Sequence, residues 1–252
     1  MNALILAAGY ATRLYPLTLT KAKPLLEVAG KPMIDWVLDN LAPIPDLGRV
    51  YVVTNNKFVK DFRGWAETYR LKTPRFEIQI IDDGSTDDSD KLGAIGDICL
   101  AVTRHDLAND ALIVVAGDNL FSEPLADFAH AAKTSEATLA TYDVGDLEAI
   151  KKYSSITTDS DGVITGFEVI PPNPENTIAG IALYYFSRET VPLFTTYVAA
   201  GNNPDQPGRF VQWLYPRTPV QTWSVPGTWF DVGSKETLEE ANKLFAQFRG
   251  AV

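Results

Sequence analysis

Hydrophobic positions follow two different spacings along the chain. Up to about residue 135, short runs of aliphatic residues alternate with segments whose apolar side chains recur every three or four positions. The runs are typical of strands buried on both faces of a parallel sheet, and the longer spacing is typical of amphipathic helices. We therefore predict strands at residues 3–7, 50–54, 76–81 and 112–116. Helices are predicted around Met33 and Phe62, and a third helix is predicted with Leu92 and Ile95 on its apolar face.

Beyond residue 135, strand patterns dominate. They predict strands at 137–142, 154–157, 163–169 and 181–186, with a hairpin turn at 159–162. A last helix is predicted from Ser234, a residue type that often caps helix N-termini. Because strands alternate with helices, the predicted fold class is α/β. We expect an open, Rossmann-like, mixed but mainly parallel sheet with helices on both faces, and a smaller β-rich part.

Composition narrows the classes of function. The formal net charge is −10, whereas nucleic-acid-binding proteins usually present a basic face, so we expect no nucleic-acid partner. Cys99 is the single cysteine and only two histidines occur, so a metal would be held by carboxylate oxygens. No stretch approaches the ~20 apolar residues of a membrane span, and no basic segment precedes the first apolar run. We therefore expect a cytoplasmic protein with no membrane partner.

The predicted strands also indicate where a ligand would bind. In open α/β sheets, ligands lie beyond the carboxyl ends of the parallel strands. The segments that follow those strands are 9–13, 54–56, 82–84 and 117–119. We expect the binding residues to come from these four segments.

The segment after the first strand has the residue types of a phosphate site. Small residues around Gly9 let backbone N–H groups approach an anion, Arg13 can bind two phosphate oxygens at once, and Lys23 adds a second cation. The alternative is a tight turn with two solvated cations. The spacing matches neither Gly-x-x-x-x-Gly-Lys-Ser/Thr nor Gly-x-Gly-x-x-Gly, so it supports neither a P-loop kinase nor a dinucleotide-dependent dehydrogenase.

This segment resembles the signature of the sugar-phosphate nucleotidyltransferases, also called nucleotide-sugar pyrophosphorylases, and within them the glucose-1-phosphate thymidylyltransferases. Ala11 replaces a glycine of the family pattern, and an alanine fits there when its φ stays negative. The resemblance runs over nearly the whole chain. The matching residues are Leu6, Ala7, Gly9, Thr12, Arg13, Leu14, Pro16, Thr18, Lys23, Leu25, Lys31, Pro32, Met33 and Ile34.

Two further motifs follow the family pattern in the same order. They are Gly117-Asp118-Asn119 and Trp229-Phe230-Asp231-Val232-Gly233. Taken alone, Asp118 fits an ordinary turn and Asp231 fits a turn or helix cap. The resemblance implies that both aspartates bind one Mg²⁺, which predicts that they lie close together.

The resemblance implies that the enzyme condenses a nucleoside triphosphate with a sugar 1-phosphate and releases pyrophosphate. The single domain of residues 1–252 would have a nucleotide-binding half (1–135) and an acceptor-binding half (136–252). The expected catalytic residues are Arg13, Lys23 and Asp118. Nucleotide binding is expected at Leu6, Ala8, Gly9, Tyr10, Ala11, Thr12, Arg13, Asp82 and Gly93.

The acceptor half departs from the family pattern. Where relatives that act on glucose 1-phosphate have Glu-Glu-Lys-Pro, this chain has Glu168-Val169-Ile170-Pro171, and Ser154 replaces a glycine. Either Arg209 supplies the missing cation, or the acceptor differs and is a modified sugar, a polyol phosphate or an aminoalcohol phosphate. The expected acceptor-binding residues are Ser154, Glu168, Gly180 and Arg209.

Other functions remain open at this point. A cytidylyltransferase or another nucleotidyltransferase for a non-sugar phosphate, including a pterin or lipid precursor, would keep the same phosphate-binding residues. A catalytically silent nucleotide-sugar sensor would be expected to lack Arg13, Lys23 or a metal-binding aspartate, and this chain retains them. The expected partners are a nucleoside triphosphate and a small phosphorylated metabolite. The base remains open, as does the choice between a monomer and a homo-oligomer.

Overall fold

The computed structural model describes residues 1–73 and 75–248, so the last residues of the predicted domain lie outside the description. The strands are β1 (Asn2–Leu6), β2 (Glu27–Val28), β3 (Lys31–Pro32), β4 (Arg49–Thr54), β5 (Glu77–Asp82), β6 (Leu112–Ala116), β7 (Asn119–Phe121), β8 (Ala137–Asp143), β9 (Ser154–Thr158), β10 (Ile164–Val169), β11 (Ile178–Phe186), β12 (Val220–Ser224) and β13 (Trp229–Asp231). The helices are α1 (Met33–Leu41), α2 (Val59–Lys72), α3 (Ala94–Arg104), α4 (Ala126–Ala132), α5 (Leu147–Ile150), α6 (Leu193–Ala199), α7 (Pro207–Leu214) and α8 (Lys235–Phe245).

The chain divides into two compact units, each formed by separate stretches of sequence. Unit 1 contains Met1–Lys91, Val115–Ala126 and Pro226–Val252, and unit 2 contains Leu92–Val114 and Asp127–Val225. Among the described residues, no helix is both long enough and apolar enough to cross a membrane.

Unit 1 contains three of the strands that the aliphatic runs predict, β1, β4 and β5. β4 pairs in parallel with β1 on one side and with β5 on the other, and Val50, Val52 and Val53 of this middle strand are completely buried. A separate antiparallel pair joins β7 to β13. Both strands of that pair carry motif residues at one end, so their pairing decides where these residues lie.

The last helix of unit 1 confirms the expected cap. The Ser234 side chain accepts a hydrogen bond from the Thr237 backbone N–H, and the Thr237 hydroxyl accepts one from the Ser234 N–H. These reciprocal bonds satisfy two N–H groups at the start of α8. Ala241 and Phe245 of the apolar face are completely buried, and they hold the helix against the core of the unit.

Unit 2 is rich in antiparallel strands, as the sequence predicts. β9 pairs antiparallel with β10 and β11, and β8 joins antiparallel β11 to parallel β12. The predicted hairpin turn is present: the Asp159 N–H donates to the Val163 carbonyl at 3.0 Å. The fold is therefore the mixed α/β class expected from the sequence.

The structure corrects one detail of the predicted helices. Leu92 is not part of the apolar face of α3; it lies before the helix and is 37% exposed. α3 begins after Gly93, whose φ of 79° is unfavourable for other residue types. A Cβ on Gly93 would lie 2.7 Å from the Pro204 carbonyl oxygen, so a close backbone contact in unit 2 fixes the helix start.

Candidate active site

The loop after β1 is held in place by hydrogen bonds to its backbone carbonyls. Asn55 Nδ2 donates to the Ala8 carbonyl at 2.9 Å, and Thr18 Oγ1 donates to the Ala11 carbonyl at 2.8 Å. Ala11 has φ 48° and ψ 47°, so the expectation of a negative φ at this position is wrong. A left-handed conformation costs an alanine about 1–2 kcal/mol, and the hydrogen-bonded loop maintains it nonetheless.

Lys23 reaches Asp118 because two neighbouring residues pack closely. Gly117 N–H donates to the Leu6 carbonyl at 2.9 Å, which fixes this glycine beside the end of β1. A Cβ on Gly117 would lie 3.1 Å from Pro24 Cγ, so the missing side chain allows Pro24 to approach. The Lys23 Nζ is then 2.5 Å from Asp118 Oδ2, and their side chains are only 11% and 24% exposed.

Asn119 and Trp229 orient the first aspartate. Asn119 Nδ2 donates to Asp118 Oδ1 at 3.1 Å, while Trp229 Nε1 donates to Asn119 Oδ1 at 2.8 Å. Burial disfavours the Asp118 carboxylate, but the Lys23 ammonium and the Asn119 hydrogen bond hold its pKa below its usual range. Asp118 is therefore a fixed carboxylate at neutral pH. The sequence placed Asn119 and Trp229 in the two motifs but did not predict the hydrogen bond between them.

The second aspartate lies next to the first. In the antiparallel pairing of β13 with β7, Asp231 is opposite Asn119, the residue after Asp118. Burial and the negative charge of Asp118 raise the pKa of Asp231 to about 6, although Lys23 and Arg13 oppose the shift. A Cβ on Gly233 would lie 3.7 Å from Asp231 Oδ2 and 3.9 Å from Arg13 Nη1. The structure thus brings both aspartates and both early cations together.

A single apolar cluster in unit 1 anchors these side chains. Leu14 follows Arg13, Leu120 follows Asn119, and Val232 follows Asp231; all three are at most 1% exposed and belong to this cluster. Each buried residue fixes the backbone of its polar neighbour. The sequence therefore alternates a core anchor with a polar side chain in three segments that are far apart along the chain.

The two aspartates fit a hard divalent cation. Oxygen ligands are the ones that Mg²⁺ prefers, and it commonly uses one or two carboxylates together with substrate phosphates and water. Among the described residues, no group of three or more His, Cys, Asp or Glu side chains could hold a metal. A cation here would therefore depend on substrate oxygens for its other ligands, and it would offset the repulsion between the two carboxylates.

This repulsion predicts a pH-dependent gain in stability for Asp231→Asn. Because the folded chain raises the pKa of Asp231 from 3.8 to about 6, ionisation of this group lowers the free energy of unfolding as the pH rises from 4 to above 6. In chelator-treated protein at pH 7.5, the free energy of unfolding of the asparagine variant should be about 1–3 kcal/mol higher than that of the parent. The two should converge below pH 4. Urea unfolding measured across this range tests the prediction, and a difference that does not change with pH would contradict it.

The segments after β4 and β5 meet the loop after β1. Asn56 Nδ2 donates to Asp82 Oδ2 at 2.7 Å, and the Asn56 N–H donates to the Ser85 carbonyl at 2.9 Å. The Tyr10 hydroxyl is 3.2 Å from Ser85 Oγ. The predicted segments 54–56 and 82–84 are therefore joined directly, and Tyr10 of the segment 9–13 contacts Ser85, the residue after 82–84. Gly93, predicted to bind nucleotide, belongs to unit 2 and lies at the start of α3.

In unit 2, the structure groups some of the predicted acceptor residues. Ser154 pairs with Gly180 of β11 and with Val169 of β10, so these three lie on one face of the sheet. Glu168 is exposed and, as the neighbour of Val169 in the strand, lies on the opposite face. The structure therefore does not bring Glu168 together with Ser154 and Gly180.

The helix α7 packs on the face of the sheet that carries Ser154. A Cβ on Gly208 would lie 3.2 Å from Ser154 Oγ and 3.1 Å from the Phe167 ring. Arg209 follows this contact, and its buried Nε has no hydrogen-bond partner among the described residues. Ile170 directly follows the neighbouring strand β10; it has a φ of 57° and is 57% exposed. Arg209 is thus a cation on α7 next to Gly208, the residue that packs against Ser154.

Several known proteins resemble this chain in sequence. The nucleotidyl transferase family model matches residues 2–247. The chain is 24% identical over 243 residues to the bifunctional protein GlmU of Methanocaldococcus jannaschii, covering 96% of this chain and 54% of GlmU. It is 28% identical over 248 residues to a UTP–glucose-1-phosphate uridylyltransferase of Synechocystis, covering 92% of this chain and 60% of that enzyme.

The fold is also that of solved structures. A crystal structure of UDP-glucose pyrophosphorylase complexed with UDP-glucose superposes with a TM-score of 0.80 at 20% identity, covering 98% of each chain. By contrast, the chain spans only a little over half the length of the curated relatives it matches. These matches confirm the family resemblance that the motifs indicate. The chain belongs to the nucleotidyl transferase family.

Proposed function

We propose that this chain transfers a nucleotidyl group from a nucleoside triphosphate to a sugar 1-phosphate, releasing pyrophosphate and using Mg²⁺. The observation that carries the proposal is the convergence of Arg13, Lys23, Asp118 and Asp231 beside the loop after β1. A triphosphate carries about four negative charges, and this arrangement supplies two cations and a carboxylate pair for a metal. The glucose 1-phosphate named for its curated relative from Synechocystis supports the choice of acceptor.

The reaction requires little proton chemistry. An oxygen of the acceptor phosphate attacks the α-phosphorus and forms a new P–O bond. The bond between the α-phosphorus and the bridging oxygen breaks, and its electron pair leaves with pyrophosphate. An ionised phosphate is already a nucleophile, so no general base is required. Catalysis then rests on positioning the reactants and neutralising their charge.

Each of the four site residues has a role in that scheme. The exposed Arg13 guanidinium binds the phosphates that leave as pyrophosphate. Lys23 stabilises negative charge while the bonds exchange. Asp118 and Asp231 would hold Mg²⁺, which would neutralise charge on the phosphate oxygens when bound. Asn119 keeps the Asp118 carboxylate in a fixed orientation.

On the acceptor side, Arg209 and Ser154 are the proposed binding residues. The Arg209 Nε has a free N–H within the described structure, and Ser154 lies where α7 meets the sheet. A guanidinium and a hydroxyl suit the phosphate of the acceptor. We also place the reaction in the cytoplasm, since the single cysteine requires no oxidising compartment.

One observation favours a second candidate acceptor. Val169 and the exposed Ile170 present apolar side chains at the end of β10, beside Ser154. These apolar side chains would suit a modified sugar, or a polyol or aminoalcohol phosphate, whose polar groups are arranged differently from the ring hydroxyls of glucose. The transfer reaction and its phosphate chemistry would be unchanged.

The test is an assay of pyrophosphate release across pairs of substrates. Each of the common nucleoside triphosphates is combined with a set of sugar 1-phosphates, a polyol phosphate and an aminoalcohol phosphate. We expect turnover with at least one sugar 1-phosphate and its loss when EDTA removes divalent metal. Turnover only with a non-sugar phosphate would favour the second candidate. No turnover with any pair, together with binding of a nucleotide sugar, would contradict catalysis and indicate a sensor.

A further inference from the structure

The buried polar side chains of Tyr10, Ser85 and Asp83 form a network beside the loop after β1. The Tyr10 hydroxyl is 3.2 Å from Ser85 Oγ, and Ser85 Oγ lies 2.8 and 3.0 Å from the two carboxylate oxygens of Asp83. Tyr10, Ser85 and Asp83 are 5%, 3% and 7% exposed. Burying a polar group costs free energy unless the group is hydrogen-bonded. The network therefore constrains the geometry of both segments that it joins.

Backbone hydrogen bonds hold the Ser85 side of the network in place. The Ser85 N–H also donates to Asp83 Oδ1 at 2.7 Å, so Asp83 binds the backbone and the hydroxyl of the same residue. The Asp83 N–H donates to the Thr54 carbonyl, and the Ser85 carbonyl accepts from the Asn56 N–H, both at 2.9 Å. The segment after β5 is thereby attached to the end of β4, and it offers Tyr10 a fixed partner.

The Tyr10 side of the network lies next to a residue with an unfavourable backbone conformation. Tyr10 lies between Gly9 and the left-handed Ala11, three residues before Arg13. An unfavourable backbone conformation persists only when the surrounding structure determines it. A phenylalanine would fill the same space as the tyrosine ring but would lose the bond to Ser85. The hydroxyl therefore contributes orientation in addition to packing.

We propose that Tyr10 is a positioning residue that couples the loop after β1 to the segment 82–85 through Ser85 and Asp83. The inference rests on the proposed function, in which the first loop binds the triphosphate. Nucleotide contacts with one segment then help to order the other, so losing the hydroxyl weakens nucleotide binding more than it slows the chemical step. Tyr10 acts through the loop and need not contact the reacting atoms.

Two variants and their combination test this coupling. Tyr10→Phe removes only the hydroxyl, and Ser85→Ala removes its partner. Calorimetry with a non-hydrolysable nucleoside triphosphate gives Kd without an acceptor, and steady-state kinetics give KM and kcat. We expect each variant to raise Kd and KM for the triphosphate about 5–10-fold, with kcat changed less than about twofold. The double variant should match the weaker of the two single variants, because both remove the same interaction.

A matched control and a stability measurement separate positioning from packing. Tyr15→Phe removes a hydroxyl from a tyrosine that is 38% exposed just beyond the loop, and it should leave Kd and kcat unchanged. Thermal unfolding is recorded for all variants. A lower Tm with an unchanged Kd would show a purely structural role and overturn the proposal, as would additive effects in the double variant.

The result for the parent protein separates this inference from the proposed function. If the parent binds the triphosphate and Tyr10→Phe binds it equally well, only the inference fails. If the parent binds no triphosphate, the proposed function fails and the inference fails with it.

Discussion

Replacing Asp118 with asparagine is expected to lower kcat by at least about 10²-fold. The amide has the shape of the carboxylate but not its charge. It therefore neither forms an ion pair with the Lys23 ammonium nor binds a divalent cation as a carboxylate does. Asp118 is fixed by Asn119 and kept ionised by Lys23, so the lost charge lies at the centre of the site. The measurement is pyrophosphate release at saturating substrates over a titration of Mg²⁺.

The control for this variant is Asp61→Asn, which removes an exposed carboxylate from the first turn of α2. It should leave kcat unchanged. We also expect the Asp118→Asn variant to need more Mg²⁺ for its residual activity. Near-normal turnover at ordinary Mg²⁺ would show that this aspartate does not hold the metal, and the proposed mechanism would have to be abandoned.

Replacing Lys23 with methionine is expected to affect both activity and stability. Methionine keeps much of the side-chain volume but leaves the partly buried Asp118 without its cation beside the carboxylate of Asp231. Breaking a buried ion pair by removing one partner is strongly destabilising, so the free energy of unfolding should fall by about 2–4 kcal/mol. The turnover number should fall by about 10²-fold, because a positioned cation near the reacting phosphates is lost. Urea unfolding and steady-state kinetics measure the two effects separately.

A double variant shows whether the loss of stability has this electrostatic origin. In Lys23→Met/Asp118→Asn, both charges of the ion pair are removed, so no unpaired carboxylate is left at residue 118. Most of the lost stability should therefore return while activity stays low. Lys60→Met, which replaces an exposed lysine in α2, is the control and should change neither quantity. If Lys23→Met were as stable as the parent, the ion pair would be irrelevant to the fold and this explanation would be wrong.

The sequence predicted regular elements well where the apolar spacing was strong. The predicted strand at 112–116 has the observed bounds Leu112–Ala116, and Ser234 caps α8 as expected. Predictions failed where a contact distant in sequence determines the backbone. Ala11 has a positive φ in a loop anchored by Thr18 and Asn55, and Leu92 lies outside α3 because Gly93 packs closely against Pro204.

The site divides in the same way. The order and identity of Arg13, Lys23, Asp118 and Asp231 can be found from the sequence, because each lies in a motif beside a predicted element. No sequence pattern predicted that Tyr10 bonds to Ser85 or that Asn119 orients Asp118. Hydrogen bonds between distant segments leave no local pattern of apolar residues.

For this protein, the sequence alone determined the α/β class, most elements and the chemistry available to the site, because local periodicity and short motifs carry that information. Which charges meet depends on the folded arrangement. The pairing of β13 with β7 places Asp231 beside the motif of Asp118, and the close approach of Pro24 to Gly117 brings Lys23 to it. The physical reason is that these contacts depend on how distant segments pack together, and the spacing of residues within one segment cannot specify that packing.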